Sequence, residues 1–244
     1  MIPTEQKSPN PIQNKLLAAL PSDEYDRMLP KLNMVEMVYD TRIFELNRPI
    51  SDVYFPNSGI ISLLAAVEES STLEVGIVGR EGMAGLPVFL GAPRSGLHAV
   101  VQGDGTALRM SSADLLLECG KGGKLNDILK RYTHSMMVQI SQSSVCFRFH
   151  VIEQRLARWL LMTSDRMQTD NFEMTQDFLA NMLGVRREAV NRAARSLDER
   201  KIVAHTRGHV RIVDRDGLEA AACACYAIIH AEERDLTEKQ KHSS

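Results

Sequence analysis

The sequence predicts an α+β chain: a roll of short β-strands, then one long helix, then a small helical unit closed by a hairpin. Three observations carry this. Between about Val35 and Met110, short apolar runs alternate with turn residues. From about Lys124 to Met167, apolar residues recur at helical spacing. After Thr175, two short amphipathic stretches meet at Gly184, and two β-branched runs follow.

Residues 1 to about 14 hold three prolines and many polar side chains, which reads as a loose tail. Leu16 to Leu32 is apolar at helical spacing but broken by Pro21 and Pro30, which fits short helices. The apolar runs of the next region are Val53-Tyr54-Phe55, Ile60 to Leu64, Leu73 to Val78 and Ala99-Val100-Val101. Pro56-Asn57-Ser58-Gly59 and Gly103-Asp104-Gly105 punctuate them. No βαβ rhythm appears, so residues 15–123 are expected to form an all-β barrel or roll.

Residues 124–150 are expected to form one helix. Leu125, Ile128, Leu129, Tyr132, Met136, Ile140, Phe147 and Val151 fall near one stripe, and no proline interrupts it. One small domain covers only part of such a face. Pairing with its twin across a two-fold axis is therefore expected.

The segment from Thr175 to Leu197 is the most informative. Thr175 suits a helix N-cap, and Phe178, Leu179 and Leu183 give that helix an apolar face. Ala180 is small where two helices cross, Gly184 suits a turn with positive φ, and Val185 and Val190 anchor a second helix. That spacing is the signature of a helix-turn-helix. Ile202 to Val213, two β-branched runs flanking Arg207-Gly208-His209, adds a hairpin wing. Residues 151–225 thus read as a winged helix-turn-helix unit.

Charge supports a polyanion-facing surface there. The chain carries a net −2, yet Arg186 to Arg211 holds eight basic and three acidic residues. On the second helix Arg187, Glu188, Asn191 and Arg192 stand at the N-terminal end, the end that enters a major groove. Arginine can grip guanine bidentately and glutamate can accept from cytosine N4. Thr175, Arg186, Arg195, Arg207 and His209 are the expected phosphate contacts.

Other classes fit poorly. No Gly-x-Ser-x-Gly, Walker loop, His-Glu-x-x-His or Gly-x-Gly-x-x-Gly occurs, so the chain reads as non-enzymatic. The N-terminus lacks a basic segment followed by an apolar core, and no apolar run reaches membrane-spanning length, which points to the cytoplasm. Of Cys119, Cys146, Cys223 and Cys225 only the last two are close. They read as buried reduced thiols, with no metal site expected.

With these residues in view, the chain resembles the Crp/Fnr family of transcription regulators. Glu153-Gln154-Arg155-Leu156-Ala157-Arg158-Trp159-Leu160 looks like the start of that family's DNA-binding domain, and Gly184 to Arg192 like its recognition helix. Gly79-Arg80-Glu81-Gly82-Met83-Ala84-Gly85 followed by Pro93-Arg94-Ser95 is similar to its phosphate-binding cassette. The resemblance implies a jelly-roll-like β-roll as a cyclic-nucleotide-binding-like sensor, a long dimerisation helix, a hinge near Phe149 to Val151, base reading by Arg187, Glu188 and Arg192, and RNA polymerase as a partner. It departs from the family at Arg186, where Ser or Thr is usual.

The resemblance also bears on an effector. Glu81, Arg94 and Ser95 match positions that hold a cyclic nucleotide's ribose and phosphate. The Thr-Ser pair that reads the base appears as Ile140-Ser141, so half of that contact is missing. A cyclic nucleotide, another small effector, or none remain open. The iron–sulfur branch needs an N-terminal cysteine group, and no cysteine precedes Cys119. His98 and His134 have no distinguishing context as haem ligands.

Overall fold

The computed structural model describes residues 12–68, 71–206 and 208–238. Two short helices, α1 (Lys15–Ala18) and α2 (Ser22–Met28), and a 3-10 turn at Leu29–Lys31 lead into the roll. The roll comprises β1 (Asn33–Met37), β2 (Arg42–Phe44), β3 (Asp52–Pro56), β4 (Ile60–Glu68), β5 (Ser71–Val78), α3 (Leu86–Phe89), β6 (His98–Gly103) and β7 (Gly105–Ser111). Then come α4 (Ser112–Gly120) and the long α5 (Lys124–Phe149). The C-terminal unit holds α6 (Ile152–Met167), β8 (Asn171–Glu173), α7 (Gln176–Leu183), α8 (Arg187–Glu199), β9 (Val203–Thr206), β10 (His209–Ile212), α9 (Arg215–Ala221) and α10 (Cys225–Glu238).

The roll is two antiparallel sheets, ordered β1-β7-β3 and β2-β6-β4-β5. Alternation places Val53, Phe55, Ile61 and Val78 inside, fully buried. The expected strands lie where the apolar runs placed them. The loose tail is corrected at its end, and residues 1–11 lie outside the described residues. Asn14 is fully buried: its side chain accepts from Leu16 N and Leu17 N, capping α1, and donates to Pro56 O and Gly82 O.

The long helix lies where it was expected, and its face is divided. Leu125, Ile128, Leu129, Tyr132 and Met136 are buried in the chain's own roll, and Ile140 packs against the same cluster. The part of the stripe from Leu125 to Ile140 therefore packs on the chain's own roll, while Phe147 lies against Arg155 of α6 and Val151 is exposed. What α5 leaves exposed is Asp127, Lys130, His134, Met137, Ser141, Ser144, Val145, Arg148 and Phe149.

Helix α6 is the keystone. Nearly every residue from Arg155 to Arg166 is buried, as expected of a helix covered on all sides. One side meets Ile60, Leu64 and Ile77 of the roll; the other meets Leu179, Leu183, Val190 and Leu197 of the C-terminal helices. Truncating Leu156, Leu160 or Leu161 to Ala here costs about 2–5 kcal/mol. Beyond residue 225, where the sequence pattern marked no element, α10 packs along α5. It places Tyr226 and Ile229 in one core cluster and Leu236 in the other.

Candidate nucleic-acid interface

Helix α7 begins at Thr175, whose hydroxyl accepts the Phe178 N–H at 3.1 Å. It ends at Gly184, held at φ +60°, where a side chain would be strained and would also strike Leu73 Cδ1 of the roll. The turn sends the chain into α8, whose residues Val190, Ala193, Ala194 and Leu197 form one buried stripe.

The opposite face of α8 is open. Arg186, Arg187, Glu188, Arg192 and Arg195 are all exposed. Glu188, Arg192 and Arg195 follow one another at spacings of four and three, so they share a face. Arg187 Nη1 lies 3.2 Å from Asp177 Oδ2, and its Nε donates to Gln176 Oε1 at 3.4 Å. Such an exposed pair is worth about 0–1 kcal/mol, so the guanidinium is readily released. Arg186 occupies the N-cap without a side-chain cap bond. The first N–H groups of α8 are thus left for an outside acceptor. Asn191 sits differently: it is half-buried, and its Oδ1 is shielded without a partner.

The wing stands beside this helix. His209 pairs with Thr206, and β8 completes a three-stranded sheet in the order β8-β10-β9. His209 and Thr175 are exposed; Arg207 lies outside the described residues. Asp198 Oδ1 accepts the His205 N–H at 3.4 Å, tying wing to helix.

The candidate effector residues do not converge. Glu81 is buried, accepts the Gly79 N–H at 2.9 Å, and meets Arg166 Nε at 2.9 Å. Arg94 is exposed and donates to Asn47 O at 3.1 Å. Ser95 is buried with its hydroxyl against Leu97 O. Ser141 is exposed on α5. Glu81 faces a cleft of about 190 Å³ shared with Lys15, Arg80 and residues of α6 and α10, and neither Arg94 nor Ser95 lines it. Larger clefts of about 640 and 430 Å³ run along the seam between roll and C-terminal unit, bordered by Tyr39, Gln102 and Thr175.

That seam holds residues the sequence reading passed over. Trp159 Nε1 donates to Glu74 Oε1 at 2.7 Å, and Ser62 Oγ lies 2.7 Å from Glu74 Oε2. Burial raises the Glu74 carboxyl to about 7, against the pull of Ser62, Trp159, Arg158 and Arg166. Ser62 also contacts Gln102 Oε1. One hydroxyl proton cannot serve both acceptors; with the Gln102 amide turned over, its otherwise unpartnered Nε2 donates to Ser62 Oγ, leaving the hydroxyl proton for Glu74. Arg166, buried in α6, bridges Glu81 of the roll and Glu233 of α10. Burial opposes its charge, and the two carboxylates more than restore it.

The cysteines are not scattered. Cys146, Cys223 and Cys225 form a buried cluster, and His150 joins it. Cys146 and His150 are four apart, one helical turn, and Cys-x-Cys repeats that proximity. The two pairs are more than seventy residues apart, so only the fold joins them. Among the described residues, no helix is long and apolar enough to cross a membrane.

Comparison with known proteins agrees with this geometry. Residues 154–221 match the model of the Crp-like helix-turn-helix domain. No curated protein sequence matches the chain. Solved structures share the fold across both units. FixK2 from Bradyrhizobium japonicum superposes with TM-score 0.68 at 17% identity, covering 79% of this chain and 98% of its own. TTHA1359, a Crp/Fnr-family transcriptional regulator from Thermus thermophilus, gives 0.63 at 19%, covering 78% and 98%. CLP from Xanthomonas campestris, described as c-di-GMP responsive, gives 0.63 at 14%, covering 79% and 99%.

Proposed function

We propose that this chain, which carries a Crp-like helix-turn-helix domain on the fold of the Crp/Fnr regulators, controls transcription by gripping duplex DNA as a homodimer. The observation that carries the reading is the outward edge of α8. Arg187, Glu188 and Arg192 are exposed at its N-terminal end while Val190, Ala193 and Leu197 hold its other face. In this reading Arg187, Glu188 and Arg192 read bases, and Asn191 joins them only if its half-buried amide turns outward. Arg186, Arg195, Thr175, His209 and Arg207 hold phosphates. RNA polymerase is the partner such a regulator addresses.

The dimer now rests on the exposed side of α5. Met137, Val145 and Phe149 are its exposed large apolar residues, and Ser141 and Ser144 between them let a twin helix approach closely. Analytical ultracentrifugation of the full chain tests it, and a monomer at DNA-binding concentration refutes it.

Selection of binding sites from random duplexes, followed by fluorescence anisotropy on the enriched and a scrambled site, tests the DNA reading. Preference for the enriched site by a factor of about 10³ or more supports it; equal, salt-insensitive binding to both overturns it.

A cyclic-nucleotide-controlled version would use Glu81, Arg94, Ser95 and Ser141. The ion pair of Glu81 with Arg166 and the outward position of Ser141 favour it less than control by another effector or none. Calorimetry with cyclic AMP and cyclic GMP decides: heat coupled to a change in DNA affinity supports the nucleotide, and neither removes it.

A further inference from the structure

We propose that Cys146, His150, Cys223 and Cys225 form a closed Cys₃His site for one zinc ion, clamping the hinge between α5 and α6 to the start of α10. All four ligand atoms lie within 4.8 Å of one another. Cys146 Sγ stands 3.4 Å from Cys223 Sγ, and Cys225 Sγ stands 3.6 Å from His150 Nδ1. A tetrahedral zinc with Zn–S bonds of about 2.3 Å has ligand–ligand edges of about 3.8 Å. No pair exceeds that edge by more than about 1 Å, so small rotamer adjustments bring the four atoms onto one ion. The set is too tight for a multinuclear cluster, whose thiolates must span several metal ions.

Local structure explains the convergence. Cys146 lies in the last turn of α5 and His150 is its C-cap, one turn on. Cys225 opens α10, and Cys223 sits just ahead of it. Three thiolates and an imidazole suit zinc among the common divalent ions. With four protein ligands no open position remains, which marks a structural site and not a catalytic one.

The surroundings supply independent support. Three thiolates on a divalent ion leave a net charge of −1. Arg155 and Arg158 are both buried, and the Nε of each lacks a hydrogen-bond partner. Neither forms an ion pair with a carboxylate within 4.0 Å among the described residues, although Glu74 lies in reach of the field of Arg158. Arg155 lies over the Phe147 ring at 4.7 Å, and Phe147 follows Cys146 in the chain, so a buried cation stands beside the cluster. Arg155 donates to Leu183 O and Arg158 to Met162 Sδ, both neutral acceptors; an anionic zinc–thiolate centre beside them would supply the balancing charge.

The test uses the full chain purified under reducing conditions. Elemental analysis should find one zinc per chain, released by a mercurial thiol reagent. Cobalt(II) added to the demetallated chain should give thiolate-to-metal charge-transfer bands and the strong visible bands of a tetrahedral centre. Cys225→Ser and His150→Ala should lose bound zinc, whereas Cys119→Ser, outside the cluster, should keep it. A wild-type chain that carries no zinc after incubation with zinc sulfate and desalting overturns the proposal. So does a Cys146–Cys223 disulfide as the resident state in peptide mapping, or full zinc retention by Cys225→Ser. If the variants fail to fold, the cobalt spectrum of the wild-type chain decides alone: absence of tetrahedral thiolate bands refutes the site. None of these readouts depends on DNA binding.

Discussion

Trp159 donates its indole N–H to Glu74 across 2.7 Å, and that bond passes from the first helix of the C-terminal unit into the sheet of the roll. Trp159 is the sole tryptophan of the chain. The bond that couples the two units is therefore also their own spectroscopic reporter.

Protonation of Glu74 should set the pH dependence of this seam. Its carboxyl is raised by burial from 4.5 to about 7. Between those values the folded chain holds a proton that the unfolded chain has lost, so stability falls as pH rises through this window and levels off above about 7. The whole effect is at most about 3 kcal/mol. Burial raises Glu233 to about 7 as well, so chemical denaturation from pH 5 to pH 8 should show a decline in the wild type that Glu74→Gln reduces without abolishing. A Glu74→Gln profile identical to the wild type would remove Glu74 as the cause.

Trp159→Phe keeps the ring contact with Phe178 but leaves Glu74 Oε1 without its donor. A loss of about 1–3 kcal/mol is expected, read as a lower Tm. In the wild type, conditions that part the domains should shift the tryptophan emission to the red before global unfolding.

Gly184→Ala should destabilise by about 1 kcal/mol or more, because φ +60° disfavours a Cβ and Leu73 stands in its way. Adding Leu73→Ala relieves the clash but not the backbone strain. The Tm of the double variant should therefore exceed the value expected from adding the single losses.

Arg166→Met should cost about 3–5 kcal/mol, since it removes the buried cation shared by Glu81 and Glu233. Thermal melts at neutral pH measure this. A loss no larger than that of an exposed arginine such as Arg195 would refute the role of the bridge.

On DNA, Arg187→Ala should cost about 1–3 kcal/mol at the selected site and relax one base position. Arg195→Ala should weaken all sequences alike and reduce the salt slope by about one. Anisotropy titrations at several salt concentrations separate the two; identical behaviour of both variants would dismiss the division between reader and clamp.

The sequence by itself determined the local structure. Period-two and period-3.6 patterns marked the strands of the roll and the long helix. Thr175, Gly184, Val185 and Val190 marked the turn between two helices, because capping, positive φ and close crossing each demand particular residue types. The exposed arginines of α8 were legible for the same reason: one face of an amphipathic helix must be buried, which leaves the other to solvent. Only the tertiary structure decided what the apolar stripe of α5 packs against, since a hydrophobic face records burial but not its partner. Only it showed that Arg166 neutralises Glu81, that Glu74 meets Trp159, and that Cys146 and His150 find Cys223 and Cys225. Those are contacts between residues far apart in the chain, made by directional polar groups, and no periodicity encodes them.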